Sequence, residues 1–385
     1  MLELAIAWVL SLAFFGESAG TDCAAPPASP SLQLVYRLQE SGGVSERARD
    51  ETVAIVCERL QAIEVPGQVS AVGEREIQVV LPASGGGVSE RTIEWIGAKG
   101  ELLFYDWEPN LIGPERRIGG HPGLQPPSAA VRRAEREWRV AGRNPSRFLN
   151  SQLLFAGAFP NLYGAVELAS GQRPRERCGA CIGPRFYMFD RTPRHRLIAG
   201  PATTRAGLRV GAAGESGVVL RVPLGTAIVF EYPFDQTGEV RRTAAPGWYA
   251  LRDRPALSGA DIVDPVQEYG LFDEPSVVFG FTDRGQKVFQ RVTRAIARRG
   301  QARARGPVSG AEAEALSGHF AIALDGEVRS RPIINFAENP DGIDGRTGAQ
   351  ISGGFTTVEE AQDLAASLRI GALPAEMILI RSDRR

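Results

Sequence analysis

Cys178-Gly179-Ala180-Cys181 is the cluster whose spacing most suggests chemistry. Such a CxxC pair exchanges disulfides when a helix N-terminus stabilises its first thiolate. Here Ile182-Gly183-Pro184 and the strand-like run Arg185 to Asp190 follow, so the helix that redox chemistry needs is missing. Structural zinc needs four ligands; no second CxxC exists, and His195 is the only histidine nearby. Cys178 and Cys181 are therefore expected to close a turn as a disulfide, or to be plain loop cysteines, in an exported domain. Cys57 falls on the apolar face of a helical pattern, which predicts buried packing rather than a nucleophile.

The remaining candidates are weaker. Asn339-Pro340-Asp341-Gly342-Ile343-Asp344-Gly345 gathers two acids, but a calcium loop also needs regular oxygen spacing and a closing glutamate. A loop between strands is expected there. Arg298, Arg299, Arg303 and Arg305 form a basic stretch after a helix bearing Val288, Phe289, Val292 and Ile296. It lacks interleaved aromatics, so a solvated loop is expected, with lipid head groups or an anionic partner as the alternative and no nucleic acid. Neither Gly119 to Gly123 nor Gly211 to Gly217 opens a phosphate loop. His121, His195 and His319 show no Ser, Cys or acid at a readable spacing, so structural histidines are expected. No catalytic residue, metal site or cofactor emerges, and the chain is read as no enzyme.

The elements that carry these residues follow from length and pattern. At 385 residues the chain is expected to form two or three domains. Hydrophobic residues make up 43% and charged ones 23%, a balance that folds and buries apolar surface. A net charge of −1 gives no global field towards nucleic acid or an anionic membrane. Leu4 to Phe15 is an apolar run too short for the roughly 30 Å bilayer core, and Ser18-Ala19-Gly20 offers small residues for cleavage. Residues 1–20 are therefore read as a signal peptide or N-terminal anchor, and residues 21–31 as a Pro/Ser linker.

Residues 32–107 predict the order βαββαβ. Leu32, Leu34 and Tyr36 alternate as a strand, and Ser45 caps a helix with Val53, Val56, Cys57, Leu60 and Ile63 on one face. Arg47, Arg49, Asp50, Glu51, Glu58 and Arg59 are placed on the other face. Gln68 to Val72 and Glu76 to Leu81 form a hairpin, Ser89 starts a second helix, and Glu101 to Trp107 is the expected closing strand. That order is a split βαβ, ferredoxin-like sandwich, an α+β fold. Residues 318–383 resemble a returning half. Phe320 to Leu324 is a strand before the Asp325-Gly326 turn. Thr356 and Glu359 make a capping box for a helix bearing Ala361, Leu364, Ala365 and Leu368, and Glu376 to Arg381 is a final strand.

These residues also carry a resemblance. LQLVYRLQESGGVS, IQVVLP and ELLFYDWEPN are similar to the first part of the extracytoplasmic domain of SecD, the accessory subunit of the bacterial Sec preprotein translocase. Trp248 to Leu251, Ala256 to Ile262, Pro275 to Phe279 and Phe281 to Gly285 resemble that family's mobile head. The fullest similarity comprises Phe320 to Gly326, Arg329 to Pro332, Ile351 to Gly353 with Phe355, Val358 to Leu364 and Gly371 to Pro374. The resemblance implies a base built from both chain ends, residues 32–107 and 343–385, and an inserted α+β head at residues 248–342. Residues 108–247 would be a more divergent insertion.

It also implies an accessory factor in protein export, engaging unfolded preprotein non-covalently outside the cytoplasmic membrane. Its partners would be the Sec translocon or a separate SecD/SecF-type membrane subunit, since the proton-conducting helices of the family are not in this sequence. The envelope, at the cytoplasmic membrane, is the expected location. An exported scaffold reusing the fold and a thiol-disulfide oxidoreductase using Cys178 and Cys181 are the alternatives.

Overall fold

The computed structural model describes residue 23 and residues 31–40, 43–83, 88–112, 158–175, 184–233, 240–270, 273–304, 307–352, 355 and 357–384. Helices and strands are mixed, and the strands form four sheets among these residues. No helix of the described residues is long and apolar enough to cross a membrane.

The first sheet joins the two ends of the described chain. It contains β1 (Ser31–Gln39), β2 (Gln68–Ala71), β3 (Glu76–Pro82) and β17 (Glu376–Arg384), in the order β17-β1-β3-β2. All three pairings are antiparallel, and β17 runs along β1 from Leu32 opposite Arg384 to Gln39 opposite Glu376. Helix α1 (Glu46–Ala62) begins where the Ser45 hydroxyl accepts the Ala48 N–H at 3.1 Å. Helix α2 (Glu90–Gly97) begins with a capping box between Ser89 and Thr92. Val56, Leu60 and Ile96 bury against Leu34, Ile77 and Val79 to make the core of this unit.

The strand expected to close this unit does not do so. β4 (Leu102–Asp106) leaves it and pairs with β10 (Leu257–Ser258) and β13 (Gly318–Leu324) in a seven-stranded sheet. The reason lies in its composition. Leu102 and Phe104 bury on one side and Leu103 and Tyr105 on the other, so this strand needs cover on both faces. β17 instead leaves Leu379 and Ile380 42% and 37% exposed, which an edge strand tolerates.

The larger sheet continues through β14 (Glu327–Ser330), β8 (Thr226–Glu231) and β9 (Gly247–Arg252), and β15 (Ile333–Ile334) pairs with β13 off its main path. The turn between β13 and β14 is Asp325-Gly326, with φ of 50° and 83°, the left-handed pair that a two-residue hairpin requires. One face of the sheet packs on α6 (Asp283–Arg303) and, through Phe279 and Phe281, on a third sheet of β11 (Ile262–Tyr269), β12 (Pro275–Phe281) and β16 (Ala349–Ser352). Helix α7 (Gly310–Leu316) leads into β13. Helix α8 (Val358–Ile370) lies between cores: Ala361, Leu364, Ala365 and Leu368 face the third sheet, and Ala366 and Ile370 face the first. Its cap is Thr357, whose hydroxyl accepts the Glu360 N–H, one residue beyond the expected Thr356–Glu359 box.

Residues 107–222 add the short helix α3 (Trp107–Asn110), α4 (Leu162–Ser170) and α5 (Arg205–Gly211). A fourth sheet has the order β6-β5-β7, from β5 (Arg185–Phe189), β6 (Leu197–Ala202) and β7 (Val218–Val222). Tyr187, Phe189 and Val222 pack with α4 and with Ala250 of β9.

Cys57 is not simple packing. Its sulfur bonds that of Cys23, with Cα atoms 5.9 Å apart and a sequence separation of 34. Cys23 also accepts the Val69 N–H at 3.0 Å through its carbonyl, giving β2 an outer neighbour. Cross-linking that span removes denatured-state freedom equivalent to about 3–4 kcal/mol. Cys57→Ala is expected to lower unfolding stability by that amount, measured by denaturant titration without reductant. Adding reductant should lower the parent chain's midpoint by about the same amount and shift the variant far less.

Candidate functional site

The four-stranded unit connects to the rest of the molecule through two adjacent crossings. The chain leaves after α2 through residues 98–101 and returns through residues 371–375, and the Leu373 N–H donates to the Lys99 carbonyl at 2.8 Å. Arg59, placed by its spacing on the solvent face of α1, is instead fully buried against these crossings. Its guanidinium donates to the carbonyls of Trp95 (3.2 Å), Ile96 (3.1 Å), Lys99 (3.4 Å) and Gly371 (3.4 Å), and closely to that of Ala98. Helix ends expose carbonyls without partners, and α2 and α8 both end here, so one buried cation satisfies both. Gly100 has φ of 71°, and a Cβ there would lie 2.9 Å from Arg59 Nη2.

The seven-stranded sheet holds the crossing from the other side. The Asp325 carboxylate accepts the N–H groups of Gly100 (3.0 Å) and Glu101 (2.8 Å). Burial pulls the Arg59 guanidinium down to about 10, with Asp325 opposing. Burial likewise pushes the Asp325 carboxyl up, with the Glu101 and Gly100 amides and Arg59 opposing. The two units therefore meet at a clamp of one buried cation, one buried acid and two left-handed glycines, Gly100 and Gly371.

A cavity of about 480 Å³ opens beside the larger sheet, where β8, β9 and β14 approach Ser352 of β16. Tyr232, Tyr249, Arg329 and Pro332 line it, together with the pair Glu231 and Arg331. Arg331 Nε donates to Glu231 Oε1 at 2.9 Å, and Nη2 bonds closely to Oε2, a bidentate arrangement. Their side chains are only 3% and 9% exposed. The guanidinium also lies over Trp107 and Tyr249, 4.8 and 5.5 Å from the ring centroids. Burial pushes the Glu231 carboxyl up despite Arg331, and pushes the Tyr249 phenol up to about 12. A lining of aromatic and apolar groups whose charges are paired, Arg331 with Glu231 and Arg329 with Glu327, suits an uncharged, extended or loosely structured ligand better than a small ion.

A second buried pair escaped sequence reading. His319 Nδ1 lies 2.7 Å from Glu108 Oε1, and the His319 backbone N–H donates to the same carboxylate at 3.0 Å. Burial would raise the Glu108 carboxyl, but the hydrogen bonds from His319 outweigh it and hold the group below its usual range. The partners are 211 residues apart, so no local spacing could reveal them.

Cys178 and Cys181 lie outside the described residues. Among the described residues no group of His, Cys, Asp and Glu could hold a metal. In the loop 339–345, Asp344 caps a 3-10 turn, Gly345–Thr347, and chelates the Arg346 side chain. The basic stretch read as a loop is helical as far as Arg303, because Ile296, Ala297 and Gly300 keep burying against the core. Arg299 pairs with Asp106 and Arg303 donates to the Leu316 carbonyl; Arg305 lies outside the described residues.

The match to known proteins falls on this same region. Residues 235–375, which hold Tyr249, Asp325, Arg329 and Arg331, match the family model for the SecDF P1 head subdomain. The protein translocase subunit SecD of Calditerrivibrio nitroreducens is 31% identical over 163 residues, 42% of this chain and 26% of that protein. The chain is similar to SecD. The Thermus thermophilus subunit SecDF is 32% identical over 123 residues, 32% of this chain and 13% of that protein. The chain thus spans about an eighth to a quarter of the length of these SecD and SecDF relatives. A crystal structure of SecDF in a super-membrane-facing form superposes on 92% of this chain and 30% of its own, at 18% identity and a TM-score of 0.43.

Proposed function

We propose that this protein is a SecD-like accessory factor in protein export, which engages emerging preprotein on the extracytoplasmic side without covalent chemistry. The observation that carries this reading is the head-subdomain match over residues 235–375, which holds most of the cavity lining, though not Glu231, Tyr232 or Pro233, and half of the clamp. In this reading the sheet β17-β1-β3-β2, with its helices, is a ferredoxin-like base. The chain between the two crossings, from residue 102 to residue 370, is the insertion that carries the head. The Sec translocon, or a SecD/SecF-type membrane subunit, is the proposed partner. The translocase match favours this reading over an oxidoreductase or an unrelated scaffold.

The cavity gives a physical route for loose binding. An extended polypeptide can offer backbone groups to Ser330 and Ser352 while side chains of many kinds lie against Tyr232 and Pro332. A photoreactive side chain placed at Tyr232 is expected to crosslink an unfolded secretory polypeptide at micromolar concentration. The same probe at Val72, exposed on the opposite unit, should not. Equal yields at both positions, or none at Tyr232, would remove the cavity from the mechanism.

A further inference from the structure

Helix α6 presents a second surface that the export reading does not use. At 100° per residue, Arg284, Lys287, Arg291, Arg294 and Arg298 fall within a sector of roughly 80° and extend over about 21 Å of helix. Lys287, Arg291 and Arg298 are exposed and have no hydrogen-bond or ion-pair partner among the described residues. Arg284 reaches the buried Asp261 at 2.8 Å yet stays 75% exposed. Arg294 donates to the Asp341 carbonyl at 2.8 Å, with that carboxylate 3.9 Å away. Of the other acids near this helix, Asp344 is occupied by Arg346, and Asp283 sits in the first turn, where the helix end itself favours it.

The character of the face selects its partner. No aromatic side chain lies in the sector, so there is no platform for stacking bases. No large apolar side chain lies there either, so the buried anchor on which specific protein interfaces rest is missing. A line of long, exposed cations with no anchor matches a planar array of phosphates. The apolar run Leu4 to Phe15 gives the same chain a separate reason to lie near a bilayer. We propose that this face of α6 rests on an anionic phospholipid surface, held by charge and not by insertion.

Adsorption of this kind contributes about fivefold in affinity per cation near the surface and is screened by salt. The test uses the full chain and vesicles of phosphatidylcholine alone or mixed with phosphatidylglycerol. Taking the ratio of the two affinities cancels any pull from the apolar run. The combined variant Lys287→Gln, Arg291→Gln and Arg298→Gln is expected to lower the preference for anionic vesicles by roughly 100-fold. Arg191→Gln, Arg194→Gln and Arg209→Gln together change the net charge equally from exposed positions elsewhere, and should leave the preference in place. All six positions are exposed, so both variants should unfold at the parent's midpoint. An unchanged preference in the α6 variant, an equal loss in the control, or α6-dependent binding to polyglutamate but not to vesicles would overturn the proposal.

Discussion

Phe104→Ala is expected to remove about 3–5 kcal/mol of folding stability, the range for truncating a fully buried aromatic ring. The ring is wholly inaccessible and sits where three layers converge. It stacks on Phe320 of β13 at 5.8 Å and meets Phe279 and Phe281 of β12 edge-on at 5.9 and 6.4 Å. Deleting it leaves a cavity that cannot collapse, because its neighbours belong to two sheets fixed by their own ladders. The loss should be read by denaturant titration from the shift in midpoint at constant slope. Leu379→Ala, on the exposed edge strand β17, should cost less than about 1 kcal/mol in the same measurement. Similar losses for the two variants would mean that β4 is not central to this core.

Arg331→Leu is expected to cost about 3–5 kcal/mol at neutral pH, because it strands the Glu231 carboxylate in a buried site. The pH dependence separates this cause from lost packing. Glu231 is already raised by burial while Arg331 is present, and removing the cation raises it further. A carboxyl raised on folding holds its proton more tightly in the native state than in the unfolded one. Its contribution is therefore fullest below the unfolded value and is lost as pH rises through the folded value. The variant should be least destabilised in acid and most destabilised at neutral pH, relative to the parent at each pH. Adding Glu231→Gln should recover a large part of the neutral-pH loss. A deficit independent of pH, with no recovery in the double variant, would assign the effect to the lost contacts with Trp107 and Tyr249 instead.

Sequence periodicity reached those parts of the fold whose partners are near in the chain. The alternation of Leu32, Leu34 and Tyr36, the caps at Ser45 and Ser89 and the Asp325-Gly326 turn are all local signals, and the structure uses each of them. β4 escaped because an apolar strand fits any sheet, and only long-range pairing with Phe320 to Leu324 decides which. Arg59 was misplaced for a related reason. A guanidinium is normally solvated, and the carbonyls that tolerate it here are supplied by segments 36 and 312 residues away. Cys57 looked like ordinary core because its partner lies in a low-complexity stretch that shows no periodicity. The resemblance to SecD marked the right region of the chain, but neither the Glu231–Arg331 pair nor the His319–Glu108 pair is visible without the packed sheets.

The register of β1 against β17 has a mechanical consequence. Leu32 stands opposite Arg384, so the first residues of one strand and the last of the other lie side by side. Tension applied between those two points would load the rungs of the ladder singly, from Leu32 towards Gln39, like a zip drawn open, and not all together in shear. A joint of that geometry yields at low force and closes again rung by rung, so β17 would peel from β1 and reseat while the Arg59 clamp still holds the two units together.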